Sequence, residues 1–352
     1  MTRALVDIES ITNHEKPVVE YLHAHLSTLA AKHNGVVELL PAAADRDNLF
    51  VRFGEPLVTL STHTDTVPPF FPSREDERFI WGRGACDAKG IIAAMIAAVE
   101  RLLAGGERDF ALLFVVGEER NSAGARAAAA TPRGSRYLIN GEPTENHLAL
   151  GCKGALRFEL IARGKLAHSA YPELGHSAIH ALLDVLQEIR ATAMPSDALL
   201  GTATLNVGVI SGGLAPNVIA DEARAELMFR TVGDPSPLRH AVHNAVAKQH
   251  GGAASGEHNA GATALGVTAR EALHTPAIHL TAFENLPTTV VAFTTDIPTL
   301  AETWGQPFLI GPGSIHVAHT AEERIAKCEL SAAVAIYERM VRKLLASARS
   351  KA

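Results

Sequence analysis

Short apolar runs that stop abruptly at polar residues recur along the chain. Val58-Thr59-Leu60 is β-prone and too short for a helix, and it stops where His63, Asp65 and the breaker Pro68 begin. Phe110 to Val116 runs into Gly117-Glu118-Glu119, and Tyr137 to Ile139 runs into Gly141-Glu142-Pro143. Pro307 to Ile310 leads into Gly311-Pro312-Gly313 and then to His316 and His319. Each run predicts a buried strand that hands over to a histidine or a carboxylate, and open α/β sheets build their sites at that edge. Ile91 to Val99 has the length and alanine content of a core helix, and it is preceded by Asp87 in a turn bracketed by Gly82, Gly84 and Gly90.

Ahead of these strands, Val18, Val19, Leu22 and Leu26 at helical spacing predict a packing helix, with Thr12 and Asn13 as caps and Glu15 and Pro17 in its first turn. The histidines at 14, 23, 25 and 33 sit among polar neighbours and read as solvated surface. An alanine run at 127–130 closes a helix begun near Ser122. From residue 152 the pattern changes. Strands are expected over 155–162, 203–210, 222–230 and 264–274, helices over 175–191 and 236–249, and a Gly- and Ala-rich connection over 251–263. This βαββαβ order predicts a small α+β domain, 152–275, inserted into a larger α/β domain made of 1–151 and 276–352. The larger domain resumes with a strand from Thr288 to Phe293 and ends in an amphipathic helix from Ser331 to Leu345.

Composition narrows the function classes. A chain of 352 residues has room for about two domains and a large core. Lys plus Arg at 32 against Asp plus Glu at 38 leaves a net charge of -6, so no nucleic-acid partner is expected. No apolar run approaches the ~18 residues of a membrane span, and the first ten residues, with Arg3, Asp7 and Glu9, lack a secretory-signal pattern. Cys86, Cys152 and Cys328 are widely spaced and odd in number, which points to a reducing, cytoplasmic setting.

A lone His-x-Asp such as His63-Thr64-Asp65 belongs more often to a hydrogen-bonded core or surface than to a metal site. Repetition at four strand ends reverses that prior. Adjacent carboxylates such as Glu118 and Glu119 leave a strand in different directions, so that one can bind metal while the other faces a reacting group. Taken singly, the pair would read as solvated loop glutamates, Asp65 as a turn residue before Val-Pro, and His168 as a surface histidine beside Ser169. Asp296, after Thr294 and Thr295, suits either a cationic substrate side chain or a helix cap.

The motifs HTDTVP at 63–68, GRGACDAKG at 82–90, GEE at 117–119, GEPT at 141–144, GKLAHSAYPELGHSAI at 164–179, APNVIADEARAELMFR at 215–230 and GPGSIHVAHTAEE at 311–323 resemble the zinc-dependent aminoacylase and carboxypeptidase family. That family includes acetylornithine deacetylase, acetylcitrulline deacetylase and succinyl-diaminopimelate desuccinylase. The resemblance keeps the order of the motifs over nearly the whole chain. Cys86 before Asp87 and the GPGSI loop with AHT look most like the acetylornithine and acetylcitrulline deacetylase branch. Ala220 departs from a common proline, and 231–275 matches weakly.

The resemblance implies a zinc-exopeptidase-like catalytic domain, with a mixed sheet flanked by helices, and an inserted lid and dimerisation domain. It implies two zinc ions per subunit, with cobalt able to substitute. His63, Asp87 and Glu142 would hold one, and Asp87, Glu119 and His319 the other, with Asp87 as the bridge and the Asp87–Ala88 peptide cis. His319 is taken over His316 because it directly precedes Thr320. Asp65 would accept the second ring N–H of His63, Glu118 would be the general base, and His168 would stabilise the oxyanion in the partner subunit of a homodimer. Asn217, Arg230, Thr295 and Gly313 would contact substrate. The implied reaction is removal of the acyl group from an N-acyl amino acid, acetylornithine-type first. A dipeptidase, carboxypeptidase or desuccinylase of the same family is the alternative, and a non-catalytic amino-acid binder a remote one.

Overall fold

Strand Val58–His63 is buried at every position because it lies between two parallel neighbours, Phe110–Val115 and Tyr137–Asn140, inside a sheet covered on both faces. A computed structural model describes residues 1–251 and 265–350. Beyond Gly251, the expected Gly- and Ala-rich connection lies outside the described residues.

The chain divides into two units, one made of Met1–Leu150, His279–Val290 and the residues from Thr295 onward, the other of Gly151–Ile278 with Val291–Thr294. In the first unit a nine-stranded mixed sheet runs in the order Val36–Ala43, Arg46–Phe53, Phe110–Val115, Val58–His63, Tyr137–Asn140, Gln306–Leu309, Leu148–Cys152 and Ile278–His279, with Thr288–Val291 paired to Leu148–Cys152. The four strands from Phe110–Val115 to Gln306–Leu309 are parallel neighbours, so their carboxyl ends share one edge.

Side chains alternate across this sheet, and each face buries its own cluster. Leu112 and Phe114 join Leu60, Ile139 and the helices Lys16–Lys32, Lys89–Ala104 and Lys327–Ser350 on one face. Leu113 and Val115 join Ala125 and Ala128 of helix Ala123–Ala130, with Leu300 and Trp304, on the other.

Several elements differ from the sequence reading. The helix Lys16–Lys32 has Glu15 at its N-cap without a side-chain cap bond, and Thr12 instead donates its hydroxyl to Asp65 Oδ2 at 2.8 Å. The hairpin Val36–Ala43 and Arg46–Phe53 was not anticipated. Its outer strand carries Pro41, tolerated at a sheet edge, and its register shifts between Pro41 and Ala43. The strand expected to reach Phe293 ends at Val291, and the last helix spans Lys327–Ser350. Among the described residues no helix is long and apolar enough to cross a membrane. No disulfide joins the cysteines.

The second unit has a four-stranded antiparallel sheet in the order Thr204–Gly212, Glu222–Thr231, Gly154–Arg163 and Gly266–Thr275. Leu156, Phe158, Leu160 and Ala162 alternate toward Leu182, Val185 and Ile189 of helix Ala178–Arg190 and Leu238 and Val242 of helix Ser236–Gly251. A short 3-10 turn, Pro172–Leu174, precedes the first of these helices. The helix proper starts after Ser177, whose Oγ accepts from His180 N at 3.2 Å.

Candidate metal centre

His63 closes strand Val58–His63, and its Nε2 lies 2.9 Å from Asp87 Oδ1. Asp87 sits in the turn before helix Lys89–Ala104, and its peptide bond to Ala88 is cis, as the resemblance implies. The other Asp87 oxygen, Oδ2, is 3.4 Å from His319 Nε2, and that nitrogen is 3.0 Å from Glu119 Oε1. One carboxylate thus faces a different histidine with each oxygen. The histidine that meets it from the 311–323 loop is His319, set by a left-handed backbone with φ 63°.

Asp65 faces His63 as expected and also serves a second set of partners. His63 Nδ1 lies 3.0 Å from the Asp65 main-chain carbonyl and 3.5 Å from its Oδ1. The carboxylate itself takes the N–H groups of Gly117 and Glu118 on Oδ1, at 3.0 and 3.1 Å, and that of Glu119 on Oδ2 at 3.2 Å. It therefore fixes the backbone that carries the two glutamates. Gly117 turns that backbone at φ 80°, a conformation suited to glycine. Glu142 follows strand Tyr137–Asn140, is 4% exposed, and has a buried Oε1 without a hydrogen-bond partner among the described residues.

The electrostatics of this cluster call for a cation. Burial and the Glu142 carboxylate push Glu118 well above the usual carboxylate range. Burial raises Glu142, and burial with Asp87 raises Glu119. Burial alone would raise Asp87, but the bonds to His319 and His63 outweigh it and hold the group low. The Asp87 and Glu119 carboxylates push His319 up to about 10. Imidazole and carboxylate both suit zinc, and two atoms ~2.0–2.1 Å from a tetrahedral ion lie about 3.3 Å apart. The observed separations of 2.9, 3.0 and 3.4 Å are at or a little below that spacing, and ligand atoms of His63, Asp87 and Glu119 all lie within 4.8 Å of one another. The residues present fit a metal, and the buried Glu142 carboxylate feels the charges of His63, Asp87 and Glu119.

The remaining expected site residues are placed as follows. Thr295 is buried, and its Oγ1 accepts from Ile297 N at 3.2 Å. Gly313, at φ 90°, donates its N–H to Glu329 Oε2 at 2.8 Å. Asp296 makes no side-chain cap bond. Burial pushes its carboxyl up to about 6 against a bond to Ser122, and its Oδ1 has no partner among the described residues. His168, Asn217 and Arg230 belong to the second unit. His168 Nδ1 accepts from Ala170 N at 3.1 Å, which leaves the ring proton of the neutral form on Nε2. Exposed Asn217 accepts from Ser169 N at 3.0 Å through its carbonyl, and Arg230 donates to Thr294 Oγ1 at 3.5 Å. Two residues that sequence reasoning missed stand around the cluster: Thr12, bonded to Asp65, and Glu323, which binds the turn carrying Asp87.

The sequence profile of peptidase family M20/M25/M40 matches residues 59–343. A peptidase M20 domain-containing protein of Schizosaccharomyces pombe is 35% identical over 350 residues, covering 96% of this chain and 82% of its own. A probable carboxypeptidase of Aspergillus flavus is 36% identical over 380 residues, covering 96% and 88%. Among solved structures, an M20 family metallo-carboxypeptidase from Sulfolobus solfataricus superposes with a TM-score of 0.73 at 17% identity, covering 96% of both chains. Aminopeptidase PepT from Bacillus cereus gives 0.76 at 17% identity, covering 98% and 97%, so the fold is shared.

Proposed function

The chain belongs to the peptidase M20/M25/M40 family of metallohydrolases, and from that premise we propose that it hydrolyses the amide bond of a small N-acyl amino acid or short peptide ending in a free carboxylate. The observation that carries this reading is Asp87, whose two oxygens face His63 and His319 among carboxylates gathered at adjacent strand ends. His63, Asp87 and Glu142 would hold one zinc ion, and Asp87, Glu119 and His319 a second. When bound, the ions would supply Lewis acidity to the scissile carbonyl and to the attacking water.

Glu118 takes the proton of the water and passes it to the leaving amine. Its buried position beside Glu142 raises its proton affinity. Asp65 holds the Gly117–Glu119 backbone and thereby the base. His168 Nε2–H donates to the carbonyl oxygen as it gains charge, from the partner subunit of a homodimer. The edge strand Thr204–Gly212, unpaired on its outer side among the described residues and with Val209 and Ile210 exposed, supports a second copy pairing there. Arg230 suits a bidentate grip on the substrate carboxylate, and Asn217, whose carbonyl accepts from Ser169 next to His168, suits a further substrate contact.

Curated relatives of Aspergillus named probable carboxypeptidases support the peptide side of this reading. The Cys86-Asp87 pair and the GPGSI loop support acetylornithine- or acetylcitrulline-type deacetylation. Rates for N-acetylornithine, N-acetylcitrulline and a set of dipeptides, measured with added zinc, separate the two. Hydrolysis of none of them would overturn the proposal.

A further inference from the structure

We propose that Glu323 is a positioning residue of the metal centre, holding the turn that presents Asp87 and tying it to the loop that presents His319. The proposal rests on the metallohydrolase reading above. Glu323 is 2% exposed, and its Oε1 accepts three main-chain N–H groups, from Gly84 at 2.9 Å and from Cys86 and Asp87 at 3.2 Å each. Its Oε2 accepts from Arg83 Nη1 at 2.5 Å, and its own carbonyl accepts from Gly82 N at 3.1 Å. All five of these bonds go to the segment 82–87.

Glu323 lies four residues after His319, across a turn closed by the Thr320 hydroxyl on the Val317 carbonyl at 2.7 Å. The next residues, Arg324–Ala326, pair with strand Phe79–Trp81, just before the same segment. The loops of two ligands are thus fastened by one carboxylate. Its charge is matched by Arg83, which is 2% exposed and donates through Nε to the Pro69 carbonyl at 3.1 Å.

An amide of the same shape cannot do this. Glutamine at 323 would turn its –NH2 either toward the Arg83 guanidinium or toward the three main-chain N–H groups, donor against donor in both orientations. The turn would relax and the Asp87 oxygens would lose their common alignment. Outer partners of metal ligands contribute about 10–100-fold in metal affinity or activity.

The test measures zinc affinity by chelator competition, the metal-free thermal midpoint, and kcat and KM, for the full chain and for Glu323→Gln and Glu323→Asp. Aspartate keeps the charge toward Arg83 but not the reach to all three N–H groups, so it carries the test by the same criterion if the glutamine variant does not fold. The expected result is zinc affinity lowered about 10–100-fold in either variant, with kcat reduced and KM changed less than about twofold. A variant that folds, melts lower without metal, and still binds zinc with wild-type affinity would make Glu323 merely structural and overturn the proposal. Failure of the wild-type chain to bind zinc would instead overturn the metallohydrolase reading itself.

Discussion

The main-chain N–H of Glu119 donates to Asp65 Oδ2 over 3.2 Å. A carboxylate just past one strand exit thereby sets the backbone of its parallel neighbour, and Thr12 completes the shell from the segment before the first long helix. Asp65→Asn replaces an acceptor oxygen with an –NH2 that faces N–H donors. Turnover should fall by about 10–100-fold with weaker zinc retention. Assays of kcat and zinc per subunit check this, and no change in either would remove Asp65 from the site.

The adjacent glutamates should separate chemistry from binding. Glu118→Gln removes the base and leaves the proposed ligand set whole, so zinc content should hold while turnover falls by ~10² or more. Glu119→Gln should instead lose zinc, because its Oε1 shares His319 with Asp87. Metal analysis beside steady-state rates reads both, and exchanged phenotypes would reverse the assignment.

His168 provides a test of action between subunits. His168→Ala should leave zinc content unchanged and lower kcat by ~10²–10³. Mixing the inactive His168→Ala and Glu118→Ala proteins gives heterodimers in which one site carries both lesions and the other neither. Recovered activity is expected for a histidine serving the partner's site. No recovery, with heterodimers shown to form, would place it in its own subunit's site.

Stability should depend on the buried Arg46–Glu15 pair, where Arg46 Nε donates to Glu15 Oε2 at 2.9 Å and Glu15 has no exposed surface. Arg46→Met strands that carboxylate and should cost about 3–5 kcal/mol. Replacing both partners by apolar residues of similar volume should recover much of the loss. Denaturant midpoints of the single and double variants measure it.

The strand ends were legible in the sequence because parallel strands covered on both faces read as unbroken apolar runs, and the chemistry begins where those runs stop. Asp65 was legible as a partner of His63 but not in its bonds to the N–H groups of Gly117, Glu118 and Glu119, a non-local arrangement. Thr12 looked like a helix cap for the same reason, since its true acceptor is 53 residues away. Glu323 sits in a polar run with no periodicity, and its bond to Asp87 spans 236 residues. The edge hairpin was hidden by Pro41, which interrupts an otherwise β-like pattern.

The proposed dizinc centre is tested most directly by hydrolysis of a responsive N-acyl amino acid or dipeptide before and after exhaustive chelation, followed by titration with zinc. Activity should vanish with the metal, return with zinc or cobalt, and level off at two ions per subunit. Full activity in protein shown by mass spectrometry to be free of metal would contradict it.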